Sequence, residues 1–135
     1  MTRMRYTVHE DLNIVELVPS GVIHVTDILE YGNRLISHGE IRAGTIEYVD
    51  MSNMKDLTVT YRSAHDLKFM HEKWLELGWL GSVYNCVSDT EYGLVRMVSA
   101  IVETLPGCPQ NLMFPLRKSM SLDHIRPFLL SKIDN

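Results

Sequence analysis

The sequence is poor in the features that most directly betray a function. Its 135 residues include only two cysteines, Cys86 and Cys108. Two thiols cannot build a disulfide framework or an all-cysteine zinc site, so free thiols in a reducing cytoplasm are expected. No run of about 18 apolar residues is present, and the best one, Leu94 to Leu105, is broken by Arg96, Ser99, Glu103 and Thr104. The first ten residues carry charge but no apolar core, so neither a membrane span nor a signal peptide is expected. Basic residues do not dominate: Lys+Arg 13 against Asp+Glu 17 gives a net charge of −4. That balance does not suit a protein living on phosphate contacts, and no nucleic-acid partner is expected.

The common chemical fingerprints are missing as well. There is no Gly-x-x-x-x-Gly-Lys-Ser/Thr loop, no Gly-x-Gly-x-x-Gly turn and no Gly-x-Ser-x-Gly elbow. Six histidines are present, but none forms a His-x-x-x-His pair. His65 and His71 are six apart and do not share a helix face; His9, His24, His38 and His124 fall in separate turns and caps. The histidines therefore read as dispersed surface residues, and neither a metal nor another cofactor is expected. No catalytic set emerges. Repeats, low-complexity tracts and Pro/Gly/Ser linkers are absent, which makes residues 1–135 one expected domain.

What is present is an ordinary globular balance, 45% apolar and 22% charged. Residues 4–8 and 13–18 are rich in Tyr, Val, Ile and Leu, with a turn at 9–12, and predict a hairpin closed by Pro19-Ser20-Gly21. Val25, Ile28, Leu29, Tyr31, Leu35 and Ile36 recur at helical spacing, predicting a helix over 26–38. Asp27 with Glu30, or Thr26, caps it, and Gly39 ends it. Thr45 to Asp50 predicts a strand and is followed by a polar linker. Ser63 with Asp66 predicts the cap of a second helix whose buried face is Leu67, Met70, Trp74 and Leu77, ended by Gly78. Gly81 to Val87 predicts a buried strand. Ser88 with Glu91 starts a third helix with the stripe Leu94, Met97, Val98, Ile101 and Leu105, stopped by Pro106-Gly107. Asn111 to Leu116 predicts an edge strand, because Pro115 cannot donate to a ladder, and Ser121 to Leu130 a last helix containing Pro127. The order is β-β-α-β-α-β-α-β-α. It predicts an α/β fold with a mixed, mostly parallel five-stranded sheet and four helices.

Cys86 reads as a small buried hydrophobe, and Cys108, in Pro106-Gly107-Cys108-Pro109, as the more reactive thiol. Trp74, Trp79 and Tyr84 read as core packing rather than a stacking platform. The most informative stretch is Asp50 to Ser63. It leaves the C-terminal end of a central strand, the edge where ligands and regulatory groups gather in open α/β sheets, and runs to a helix N-terminus. Its candidate partner-binding or regulatory residues are Asp50, Ser52, Asp56, Thr58, Thr60 and Ser63.

With this element order, Gly21-Val22-Ile23-His24-Val25-Thr26-Asp27 and Tyr48-Val49-Asp50-Met51-Ser52 resemble the STAS domain, the SpoIIAA-like anti-sigma-factor-antagonist family. The resemblance covers nearly the whole chain. It implies a non-enzymatic bacterial regulatory module that binds a protein partner. In that family the loop after the third strand ends in Asp-Ser-Ser/Thr-Gly, and a partner kinase phosphorylates one hydroxyl there. This chain reads Thr58-Val59-Thr60-Tyr61, with Val59 at the acceptor position and Tyr61 at the glycine, so Thr58 and Thr60 are the nearest hydroxyls. Some relatives instead hold a small apolar ligand between sheet and helices, which makes a carrier or sensor the alternative. A receiver-like phospho-Asp domain, using Asp50, Ser88 and Lys118 with Glu10-Asp11 for Mg²⁺, is a further alternative, as is a small enzyme. A receiver needs its first helix where Ile14 to Val18 reads as a strand. A homodimer is left open. A cavity lined by Met and Trp under the second and third helices would favour the ligand reading; a filled core beside an exposed 50–63 loop would favour the interaction reading.

Overall fold

The structure is a computed structural model, and it describes residues 3–58, 60–104 and 113–133. Strands β1 (Met4–His9) and β2 (Ile14–Pro19) form the predicted antiparallel hairpin. Strand β3 (Gly21–His24) follows, then helix α1 (Val25–Ser37), strand β4 (Ile46–Asp50), a 3₁₀ turn (Met51–Asn53) and strand β5 (Met54–Thr58). Helix α2 (Tyr61–Leu77), strand β6 (Gly81–Asn85), helix α3 (Asp89–Val102), strand β7 (Met113–Leu116) and helix α4 (Leu122–Ile133) complete the chain. The main sheet has five strands in the order β1-β2-β4-β6-β7, parallel except for β1. This is the α/β architecture expected from the alternation of periods. Ile14–Pro19 is a strand, where a receiver would need a helix.

The two faces of the sheet are covered unequally. Val15, Leu17 and Val49 pack with residues of α1, α2 and α3, including Leu35, Leu67, Trp74 and Val102. Ile14, Ile46, Tyr48 and Val83 point the other way, onto Ile125 and Leu129 of α4. Arg126 fastens α4 to the hairpin turn, donating to the carbonyls of Leu12, Asn13 and Gly44. Pro115 lies on β7, at the edge of the sheet, and Pro127 lies inside α4.

Several expectations need correction. Gly21 to His24 is a strand, not only a turn, and the polar linker contains β5; the two pair in parallel as a separate ribbon. Gly21 pairs with Met54 and Val22 with Asp56, leaving Lys55 as an extra residue. Such a bulge shifts the alternation by one, so Met54 and Leu57 both turn inward. The cap of α1 is His24, with Asp27 reaching back to its backbone N–H as the third helical residue. His38 and Gly39 end it, the latter at φ +67°. The cap of α2 is Thr60 rather than Ser63. On α3 the buried face runs through Val95, Val98, Ile101 and Val102, while Leu94 and Met97 are half-buried, a small rotation of the expected stripe. Cys86 is buried as expected, though it lies just beyond β6. His71 is buried, against the expectation of a surface position. Val59, Leu105, Pro106-Gly107, Cys108, and residues 111–112 of the last expected strand lie outside the described residues.

Gly78 ends α2 at φ +108°, and a Cβ there would sit 2.5 Å from the Ala43 Cα. Neither the left-handed backbone nor a backbone neighbour yields cheaply. Gly78→Ala is expected to cost more than about 1–2 kcal/mol, the strain of the left-handed conformation alone. Gly93, in α3, has nothing within 4 Å of such a Cβ. Gly93→Ala should therefore stabilise by up to about 1 kcal/mol through helix propensity. Urea midpoints of both variants check the pair, and equal effects would contradict the assigned backbone.

Candidate functional site

A cavity of about 80 Å³ lies between the helix-covered face of the sheet and the ribbon. Its sheet wall is Leu17, Glu47, Val49 and Tyr84. Tyr31 of α1, with Met70, His71 and Trp74 of α2, forms a second wall, and Leu94, Val95 and Val98 of α3 a third. The ribbon and the 3₁₀ turn close it with Ile23, Met51, Met54 and Leu57. Five methionines contribute: Met4, Met51, Met54, Met70 and Met113. Unbranched thioether side chains adapt to irregular space at little cost, so this lining can reshape around an occupant.

One acid interrupts the apolar lining. Glu47 stands in the middle of the central strand β4 and is only 3% exposed. Register places it opposite Ser82, with Val49 opposite Tyr84, so all four share the cavity face. Tyr31 Oη donates to Glu47 Oε2 at 2.6 Å; Ser82 Oγ and Tyr84 Oη donate to Oε1 at 2.7 and 3.4 Å. Trp79 Nε1 donates to Ser82 Oγ at 3.1 Å, which commits the serine proton to the carboxylate. Burial raises the Glu47 pKa, and the three hydrogen bonds partly oppose it. The Tyr31 and Tyr84 hydroxyls titrate well above their ordinary value, first through burial and then through the charge of Glu47. The ion pairs among the described residues do not include Glu47.

Behind this network lies an aromatic cluster. The His71 ring is 5.1 Å from Trp74 and 5.0 Å from Trp79, centroid to centroid. Its Nδ1 lies 2.7 Å from the Leu67 carbonyl. A carbonyl only accepts, so Nδ1 carries the proton and Nε2 the lone pair of a neutral imidazole. Burial lowers the His71 pKa to about 4. Cys86 Sγ, 3.9 Å from Met51 Sδ, has its pKa pushed up to about 11 by burial, which makes it a poor nucleophile at neutral pH. Among the described residues no group of three His, Cys, Asp or Glu is placed to hold a metal.

The six residues singled out by sequence lie around the ribbon rather than in the cavity. Asp50 ends β4; its Oδ1 accepts from the Ser52 amide at 3.1 Å and Asn85 Nδ2 at 3.3 Å. Thr60 Oγ1 accepts from the Ser63 amide, and Ser63 Oγ accepts from the Thr60 amide at 2.8 Å. Ser52, Asp56 and Thr58 are exposed, with Asp56 accepting from the Leu57 amide. The structure thus brings Asp50 to Ser52 and Thr60 to Ser63, and leaves Asp56 and Thr58 on the outer side of the ribbon. Thr60→Ala is expected to cost about 1 kcal/mol through loss of the cap, and Ser63→Ala less. A larger loss for Ser63→Ala in urea unfolding would reverse the cap assignment.

Reasoning from sequence missed Glu47, Tyr31 and Ser82. The available signal was an acid inside Ile46-Glu47-Tyr48-Val49, a strand otherwise apolar enough to be buried on both faces. No helix among the described residues is long and apolar enough to cross a membrane. Compared with known proteins, the chain matches no family model, no curated protein and no solved structure.

Proposed function

We propose that the chain is a non-enzymatic, cytoplasmic regulatory module of SpoIIAA-like type whose cavity holds a small apolar ligand. Its response surface is the segment from Asp50 to Ser63, which meets a protein partner. The observation that carries this reading is that one segment serves both sides. Met51, Met54 and Leu57 line the cavity, while Ser52, Asp56 and Thr58 are exposed on the same 3₁₀ turn and strand β5. An occupant that moves the methionines moves the outer residues with them. The methionine-lined space under α2 and α3 is the feature that favours a ligand over a purely interacting surface. The STAS-like reading rests on the resemblance within residues 21–27 and 48–52; the hairpin, the mixed five-stranded sheet and the four helices carry only the α/β class. The phosphate-accepting hydroxyl of that family has no counterpart at Val59, and the Thr60 hydroxyl is engaged as a helix cap.

Amide NMR and thermal unfolding with a panel of small apolar compounds test the proposal. A binder at 100 times its Kd adds about 2.7 kcal/mol of stability. Amides of 51–58 should shift, and Val98→Phe, which fills the cavity, should abolish both effects while leaving the protein folded. A panel in which no compound raises Tm removes the ligand. Binding that leaves 51–58 unmoved removes the response surface.

A further inference from the structure

The buried carboxylate narrows the chemistry of the occupant, and the step rests on the cavity being a ligand site. Each polar side chain bonded to Glu47 is a donor: Tyr31, Ser82 and Tyr84. Ser82 is itself held as a donor by the Trp79 N–H. Converging donors stabilise the ionised form of an acid, and a carboxylate has about four lone-pair positions, of which three are filled. The described ion pairs supply Glu47 with no countercharge. Tyr31, Trp74 and Tyr84 also line the space, and aromatic faces attract a cation.

We propose that the cavity binds a short alkylammonium ion, whose N–H donates to the remaining lone pair of Glu47 and whose alkyl chain lies among the methionines. The volume sets the size. About 80 Å³ holds roughly three groups of water size at ~30 Å³ each, and is about half of the ~150 Å³ that admits benzene in an apolar cavity. An ammonium head with a two-carbon chain fills those three groups, and Met54 and Met70 can give way for the third carbon of propylammonium. The ion loses its hydration on entry, and a pre-oriented buried carboxylate replaces it; a neutral alcohol gains much less from the same group.

Three probes separate the possibilities: xenon, 1-propanol and n-propylammonium chloride, each titrated by NMR at pH 7. Propylammonium is expected to bind about tenfold or more tightly than propanol, the effect of one charge-assisted contact. Glu47→Gln should remove that preference and leave xenon binding intact. Propanol binding as well as propylammonium, or a preference that survives Glu47→Gln, would overturn the assignment. Xenon entering while propylammonium does not overturns this inference alone; failure of all three overturns the cavity reading itself. Should Glu47→Gln not fold, the side-chain carboxyl ¹³C shift of the wild-type protein decides. An ionised Glu47 that responds to propylammonium supports the proposal, and a protonated one at pH 7 refutes it.

Discussion

Trp74→Ala is expected to cost about 3–5 kcal/mol, the range for removing a large aromatic from a packed core. Trp74 is fully buried at the crossing of α2 with α1. Its indole N–H donates to the Gly32 carbonyl at 3.2 Å, and its ring meets Tyr31, His71 and Trp79 edge-on. Edge-on pairs contribute roughly 0.5–1.5 kcal/mol each beyond area burial, so the loss lies toward the upper end. The void created would join the existing cavity, and an aromatic such as indole should restore part of the stability. Phe69 supplies an internal control. It sits on the same helix, is 63% exposed, and its change to Ala should stay within about 0.5 kcal/mol. Urea unfolding of the two variants is the measurement. A Trp74→Ala loss under 1 kcal/mol, or equal losses for both, would mean that α2 presents the wrong face.

The parts of this fold that were legible are those governed by local rules. Strands β1, β2, β4 and β6 announce themselves through apolar and β-branched runs, and Ser88 with Glu91 forms the capping box its spacing implies. Ribbon strands β3 and β5 obey no local rule. Each is short and half-exposed, each owes its existence to a partner about thirty residues away, and the bulge at Lys55 destroys the alternation that marks a strand. The α2 cap escaped for a related reason: Thr60 and Ser63 form a box from two hydroxyls, whereas Ser63 with Asp66 matches the usual acid-bearing pattern better. The site was illegible because it is tertiary. Tyr31, Glu47 and Ser82 meet only once α1 and β6 pack beside β4, and His71 looked like one polar residue among six until α2 buried it between two tryptophans.

That buried histidine makes acid the second large expectation. Folded, His71 titrates near 4; in the unfolded chain it returns to about 6.5. The unfolded state therefore takes up the proton first. Stability from this residue is complete above pH 6.5 and is lost as pH falls toward 4. The full loss is roughly 3 kcal/mol, of which about 2.5 kcal/mol is in place by pH 4.5. Glu47 acts with the opposite sign. Its folded pKa is raised, so its contribution is present below its unfolded value and is lost as pH rises through the folded one. Acidification thus recovers at Glu47 part of what it removes at His71, and the observed fall should be shallower than His71 alone dictates. A comparison isolates the histidine. His71→Phe keeps an aromatic ring against Trp74 and Trp79 while removing the titrating group. Urea unfolding of both proteins at pH 7.5 and 4.5 should show a larger acid loss in the wild type by about 2–3 kcal/mol, with all other titrating groups common to the pair. Parallel pH profiles would show that the ring is protonated or solvated in the folded state, and the aromatic cluster behind the cavity would have to be opened to water.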